Sequence, residues 1–386
     1  MNTLLLKNCL LYNSDHHEKL NDVLIENGKI KKIFPANSAL QTDIAIDADG
    51  LILAPGFIDV HIQGAGGADV LDGTYDALKA MSAALAMSGT TGFLATTVVK
   101  PLTKNHHLKV IAENTGKDLG GAEILGIHLE GPFINPLKKG GLDPNSIYPS
   151  SDTALDEILD AADNKLSMMT IAPELNGNLD LISRLKALGI IASFGHSDAS
   201  YEETLSGFKA GINHVTHIFN AMPSLNHRKP GPLLAIFEDE SASVQIISDG
   251  VHLHPGIVNI IYKNIGVDRC ICITDGIQAI GMPEGRYFYN GKEYESKDGS
   301  ARYLDGTLIG TAVGLNKIAA RFKSFTECSL KEAVDSVTKN PAELLGIYER
   351  KGSIDIDKDA DLVLMNDEFD VETTLVKGKI VYNGDK

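Results

Sequence analysis

Through the middle of the chain, short apolar runs rich in β-branched residues alternate with stretches whose apolar positions recur every three to four residues. The runs are GFIDVHIQG (56–64), TGFLATTVV (91–99), EILGIHLEGPF (123–133) and LSMMTIAPE (166–174), followed by GIIASFGHS (189–197), NHVTHIFNA (213–221), SVQIISDGVH (243–252) and RCICITDG (269–276). Between them lie amphipathic segments such as YDALKAMSAALAMSG and YEETLSGFKAG, the second closing on a glycine as helices often do. A strand covered on both faces is apolar at nearly every position, and strands that alternate with helices build parallel sheets. Eight such units predict an α/β fold, a (β/α)8 TIM-like barrel. A doubly wound open sheet is the alternative, since closure leaves no mark on a single sequence.

The two ends of the chain follow a different rhythm. DVLIENGKIKKIF and LILAPG near the start, and GSIDIDKDADLVLMN and TLVKGKIVYNG near the finish, read as short strands joined by turns. They predict a small β-sandwich-like domain built from both termini, residues 1–53 plus 350–386, beside a catalytic barrel over 54–349. The turn-rich stretch 281–314 reads as a hairpin insertion near the barrel mouth.

Active sites of such barrels are assembled at the C-terminal ends of the strands. Those ends carry His61, Thr96 and Thr97, Glu130, Glu174, His196, His217, Asp249 with His252, and Asp275. His16 and His17 fall in a polar turn instead, and His106 and His107 in a polar helix. Chance explains one or two polar strand ends and is a poor account of a whole ring. Glu130, His196 and His217 together form a ligand set that leaves one position open for water. One divalent metal per chain follows, zinc first, with iron, manganese or cobalt as alternatives. Asp275, in ITDG, is then the natural proton carrier beside metal-activated water. The plainer alternative is an aspartate that caps the turn at Gly276.

Bulk properties narrow the partners. A net charge of −16 argues against nucleic acid or an anionic membrane surface. No apolar run reaches the ~18 residues of a membrane-spanning helix. The apolar patch at the N-terminus is broken by Lys7, Asn8 and Asn13, which suits a strand better than a signal peptide. The four cysteines, Cys9, Cys270, Cys272 and Cys328, are scattered, and Cys270 and Cys272 read as a buried strand. A reducing, cytoplasmic setting fits. On so acidic a chain, an anionic substrate needs a local basic spot, and His227-Arg228-Lys229 is one.

Taken in order, PGFIDVHIQGAGG, HLEGPFINPLKKGG, FGHSDAS, VTHIFNAMP, HRKPG, DGVHLHP, ITDG and DGTLIG resemble the N-acetylglucosamine-6-phosphate deacetylases of the metal-dependent amidohydrolase superfamily. PGFID and the closing ADLV are general superfamily marks; HLEGPF, HxFNAMP and DGVH are more specific. The likeness covers essentially the whole chain. It implies hydrolysis of N-acetyl-D-glucosamine 6-phosphate to D-glucosamine 6-phosphate and acetate. Glu130, His196 and His217 would hold the metal and Asp275 would be the general acid/base. Asn220, Ala221 and Arg228 would meet the sugar phosphate and His252 the sugar, with Leu308, Ile309 and Gly310 closing over it. A homodimer in which Arg228 reaches the neighbour's site is also implied.

Two departures from the family pattern stand out. Where many members carry His-x-His, this chain has His61-Ile62-Gln63; residues two apart in a strand face the same way, yet an amide is a poor ligand. His61 is left as a weak ligand of a half-dismantled second site. Where several members carry a histidine after KKG, this chain has Gly141-Leu142, which leaves only backbone contacts to the substrate there. The competing readings are deacetylation of N-acetylgalactosamine 6-phosphate or another acylamino compound, and a non-catalytic barrel scaffold.

Overall fold

The computed structural model describes residues 3–13, 20–36, 40–100, 103–289 and 291–384, and the turn holding His16 and His17 lies outside them. Eight parallel strands form one sheet in sequence order: β1 (Phe57–Ile62), β2 (Thr90–Thr97), β3 (Glu123–Glu130), β4 (Leu166–Ile171), β5 (Ile191–Phe194), β6 (His214–Val215), β7 (Ser243–Ile246) and β8 (Cys270–Cys272). A helix follows each strand on the outside, the last after an insertion. Burial on both faces explains the composition: every residue of β1 and β2 is buried.

The ring closes just beyond β8. Ile62 bridges Gly276 in parallel, the Asp275 N–H donates to the His61 carbonyl at 3.0 Å and the Gln63 N–H to the Gly276 carbonyl at 2.8 Å. The buried Asp59 carboxylate reinforces the seam, accepting from the Thr274 hydroxyl at 2.6 Å and the His61 N–H at 3.2 Å. Burial pushes its pKa up to about 6 even though these hydrogen bonds pull the other way. The open-sheet alternative is therefore excluded.

Helix boundaries follow local chemistry. Tyr201–Ala210 begins at a capping box, the Ser200 hydroxyl taking the Glu203 N–H while Glu203 returns to Ser200, and it ends at Gly211. Strand lengths were harder to foresee. The run 213–221 contributes only His214 and Val215 to the ladder, because the chain then turns through left-handed backbone at His217, Phe219 and Ala221. His107 differs from the expectation of a polar helix: its ring is buried, with Nε2 2.9 Å from the Val98 carbonyl.

Both termini meet in a second sheet. Ile52–Pro55 lies between Thr3–Leu11 and the C-terminal strand Leu362–Met365, with which it pairs antiparallel. Leu4, Leu6, Val23 and Ile25 pack there with Leu53, Leu362, Leu364 and Leu375 in a core of their own. The 281–314 segment forms a four-stranded antiparallel sheet, Gly285–Tyr289, Lys292–Lys297, Ser300–Tyr303 and Leu308–Thr311. The last of these strands is bridged to Gly276.

A buried ion network ties the N-terminal end of β3 to the terminal strands. Lys351 is 1% exposed; its Nζ pairs with Asp361 and lies 2.9 Å from Glu123 Oε2, while Lys377 Nζ reaches Glu123 Oε1 at 3.1 Å. Burial opposes the charge on Lys351, but Asp361 and Glu123 outweigh it and raise its pKa. Breaking such a pair leaves carboxylates buried without a counter-charge. Lys351→Met is expected to lower unfolding stability by about 3 kcal/mol in urea titrations; a loss under about 1 kcal/mol would show that the network contributes little.

Two buried histidines set a pH dependence. Burial, followed by the charge of His61, pushes the His214 pKa down to about 3, and burial pushes that of His107 down to about 4. Both rings take a proton near pH 6.5 in the unfolded chain. The stability that comes from keeping them neutral is therefore present above pH ~6.5 and is lost as pH falls toward 4, by up to about 1.4 kcal/mol per pH unit for each ring. His214→Gln is expected to flatten the fall in urea midpoint between pH 6.5 and 5; an unchanged slope would remove His214 from this account.

Candidate active site

Three strand ends deliver one cluster. Glu130 is the last residue of β3, and His196 and His217 lie just past β5 and β6. Glu130 Oε1 is 3.0 Å from His196 Nε2 and 3.1 Å from His217 Nε2, and the two ring nitrogens are 3.1 Å apart. All three residues are buried. The backbone is shaped for this, with His196, His217 and Asp275 at φ of 48°, 26° and 47°, a left-handed region that non-glycine residues enter at a cost. Gly195 precedes His196 because a Cβ there would stand 2.8 Å from both Thr170 Cγ2 and Thr216 Cβ.

Hydrogen bonding defines what the cluster can hold. His196 Nδ1 lies 2.7 Å from the Lys138 carbonyl, which only accepts, so Nδ1 carries the proton and a neutral ring turns its Nε2 lone pair inward. That lone pair faces an anionic carboxylate oxygen and a second imidazole nitrogen. The donor atoms of Glu130, His196 and His217 all lie within 4.8 Å of one another, a convergence that fits a divalent cation. Burial raises the Glu130 pKa, but His61, His196 and His217 outweigh it and hold the carboxyl well below its usual range. Burial likewise pushes His217 down.

His61 sits beneath the cluster on β1. Its Nδ1 lies 2.9 Å from Gln245 Oε1 and its Nε2 is 3.2 Å from Asp275 Oδ1 and 3.5 Å from Glu130 Oε1. Burial pulls its pKa down, yet Glu130 and Asp275 prevail and push it up to about 9. Below lies a buried polar layer in which His128 joins Thr96 at 3.1 Å and Thr170 at 2.8 Å. Burial, then the His61 charge, drives His128 well below the usual histidine range.

A cavity opens above. Its wall includes Glu130, His196, His217, Asp275 and His252, together with Asn220, Ala221, Gly141, Leu142, Leu308 and Ile309. His252 is oriented by Asp249, whose Oδ2 lies 2.6 Å from its Nδ1. Burial raises the Asp249 pKa, but the His252 hydrogen bond outweighs it and the net shift is downward. The Leu142 N–H is already engaged by the Lys139 carbonyl, and its side chain packs with Val98 and Ile134.

Other singled-out residues lie off this wall. Arg228 is exposed, in a turn held by Asn226, whose side-chain oxygen accepts the Arg228 and Lys229 N–H groups at 2.9 and 3.2 Å. Gly310 braces the insertion against the site, since a Cβ there would stand 2.6 Å from the Asp275 carbonyl. Glu174 joins loops instead, accepting from Asn135, Ser197 and the Asp198 N–H at 2.7 to 2.9 Å. Sequence reading missed His128, Gln245 and Tyr289. His128 had a signal, because it lies two residues before Glu130 and so faces the same way; Gln245 and Tyr289, in ordinary strand runs, had none.

Comparison with known proteins agrees with this geometry. Residues 52–381 match the amidohydrolase family. The chain is 34% identical to the N-acetylglucosamine-6-phosphate deacetylase of Bacillus subtilis (strain 168), over 98% of this chain and 97% of that protein. It is 32% identical to the N-acetylgalactosamine-6-phosphate deacetylase of Escherichia coli O157:H7, over 86% and 89%. A crystal structure of the N-acetylglucosamine-6-phosphate deacetylase from Thermotoga maritima superposes with a TM-score of 0.85 at 31% identity, covering 98% of this chain and 100% of that one. A mutant of the Mycobacterium smegmatis enzyme in complex with N-acetyl-D-glucosamine-6-phosphate gives 0.90 at 28% identity, covering 99% of each chain. With this barrel, this cluster and these full-length relatives, the chain belongs to the amidohydrolase family and, within it, to the N-acetylglucosamine-6-phosphate deacetylases.

Proposed function

We propose that the chain hydrolyses the acetamide of N-acetyl-D-glucosamine 6-phosphate to D-glucosamine 6-phosphate and acetate. The observation that carries this is the convergence of Glu130, His196 and His217 beside Asp275 at the barrel mouth. Glu130, His196 and His217 would hold one divalent cation per chain, zinc first, with iron, manganese or cobalt as competing occupants. When bound, the cation supplies Lewis acidity to the attacking water and the acetamide carbonyl. Asp275 takes the proton from that water and delivers it to the departing amine nitrogen, acting as base and then as acid.

His252, with its Nδ1 engaged by Asp249, offers its other ring nitrogen to a sugar hydroxyl. Leu142 lines the cavity with an apolar surface and no polar side chain. Asn220 and Ala221 line the same cavity and are assigned to the sugar phosphate on the family likeness. Arg228 lies off that wall on an exposed turn, which supports a homodimer in which each copy supplies this guanidinium to its partner's substrate phosphate. Among the described residues no helix is long and apolar enough to cross a membrane; a cytoplasmic setting is the reading that suits a phosphorylated sugar and four free, buried cysteines.

Acetate release from N-acetylglucosamine 6-phosphate, compared with the galacto epimer and the unphosphorylated sugar, tests the reading on metal-analysed protein. The gluco phosphate is expected to turn over fastest. Asp275→Asn is expected to lower kcat by about 10²- to 10⁴-fold with the metal retained, and chelation to abolish activity until metal is restored. Faster turnover of another acylamino compound would reassign the substrate, and near wild-type kcat in Asp275→Asn would remove Asp275 from its role.

A further inference from the structure

We propose that Tyr289, carried by the hairpin insertion, is a positioning residue of the active site that acts through Gln63 on Glu130 and Asp275. Tyr289 ends the strand Gly285–Tyr289 and is 4% exposed, its ring packed with Ile277, Ala279, Tyr294 and Ile309. Its hydroxyl donates to Gln63 Oε1. Gln63 Nε2 in turn lies 3.2 Å from Glu130 Oε2 and 3.5 Å from Asp275 Oδ1. The Gln63 backbone is fixed as well, its N–H donating to the Gly276 carbonyl at 2.8 Å and its carbonyl accepting the Val70 N–H at 2.9 Å.

The direction of these bonds decides the role. A carboxamide turned by 180° keeps its shape and exchanges donor for acceptor. Turned that way, Gln63 would set an oxygen against the buried Glu130 carboxylate. The Glu130 carboxylate, which only accepts, selects the other orientation, with the amide nitrogen toward both carboxylates, and the Tyr289 hydroxyl, donating to Oε1, anchors the amide in it. Glu130 Oε2 is thereby occupied and Oε1 is left to face His196 and His217. Asp275 receives the second, longer contact from the same nitrogen. Nothing in the chemistry of the ligands themselves demands a phenol here. Its effect is to fix an amide, and outer hydrogen bonds of this kind alter metal affinity or activity by about 10- to 100-fold when removed.

The inference rests on the deacetylase reading for its kinetic arm only. Four full-length proteins are compared: wild type, Tyr289→Phe, Gln63→Met and the double variant, each loaded with Zn²⁺. The first readout is the rate of Zn²⁺ transfer to a chromophoric chelator. Tyr289→Phe, which removes one oxygen and keeps the ring, is expected to speed release about 10-fold. In the Gln63→Met background the same change is expected to alter release less than about two-fold, because the group it acts through is gone. The second readout is kcat, expected to fall about 10-fold in Tyr289→Phe with KM within about two-fold, and with the same loss of effect in the double variant.

Equal effects of Tyr289→Phe in both backgrounds, or wild-type release in Tyr289→Phe, overturn the proposal. Should Tyr289→Phe fail to fold, as read by its thermal unfolding, Gln63→Met alone decides: accelerated release supports the relay and wild-type release overturns it. Failure of the wild type to release acetate from any acetylated sugar would sink the deacetylase reading, while the Zn²⁺ experiment would still decide the role of Tyr289.

Discussion

The interaction on which the site depends is the burial of one carboxylate. Glu130 ends β3 with almost no access to water, and an ionised carboxylate in such a place must be met by positive charge or by donors. Three imidazoles and one amide nitrogen surround it, arriving from three separate parts of the chain. His61 comes from the first barrel strand, His196 and His217 from turns after the fifth and sixth, and Gln63 from just past the first. The same electrostatic demand acts on His61, where Glu130 and Asp275 outweigh burial and push its pKa up. It also explains why the cluster suits a small cation, since a divalent charge satisfies the carboxylate and the inward lone pair of His196 together.

Closure of the barrel supplies the geometry for the proton-carrying side. β1 and β8 meet just past their ends through a short bridge, three backbone hydrogen bonds and a buried aspartate, with no long ladder between them. That seam sets His61 and Asp275 side by side, because the Asp275 N–H and the His61 carbonyl are themselves one of its bonds. Gly310 then lets the insertion strand approach the Asp275 carbonyl closely. The insertion is thus part of the wall and is coupled to the barrel at the residue where proton transfer would occur.

Much of this was legible in the sequence, for reasons that differ by element. The eight barrel strands announced themselves because burial on both faces leaves runs with few polar residues, and the polar residues that end those runs then stand out. Glu130, His196, His217 and Asp275 were visible on that ground. Strand length was less legible, as at 213–221, where left-handed backbone ends the ladder and periodicity carries no trace of it. Glu174 looked like a member of the ring but joins loops, since a strand-end position does not say which way the following turn leads. Tyr289 and Gln245 were hidden for the opposite reason. Each sits in an unremarkable strand, and its importance comes from a partner distant in sequence.

The sheet built from both termini bears on how the chain is made. Strand Ile52–Pro55 has one neighbour near the start of the chain and the other, Leu362–Met365, roughly 300 residues later. At a synthesis rate of about 5–20 residues per second, its open edge waits some 15 to 60 s for that partner. An unpaired edge is a template for pairing with another nascent chain. On that edge the Gly56 N–H waits for the Asp361 carbonyl, which it meets at 2.8 Å in the finished fold. The terminal strands therefore act as a late clasp, and the hazard in producing this protein lies in the interval before the ribosome reaches them.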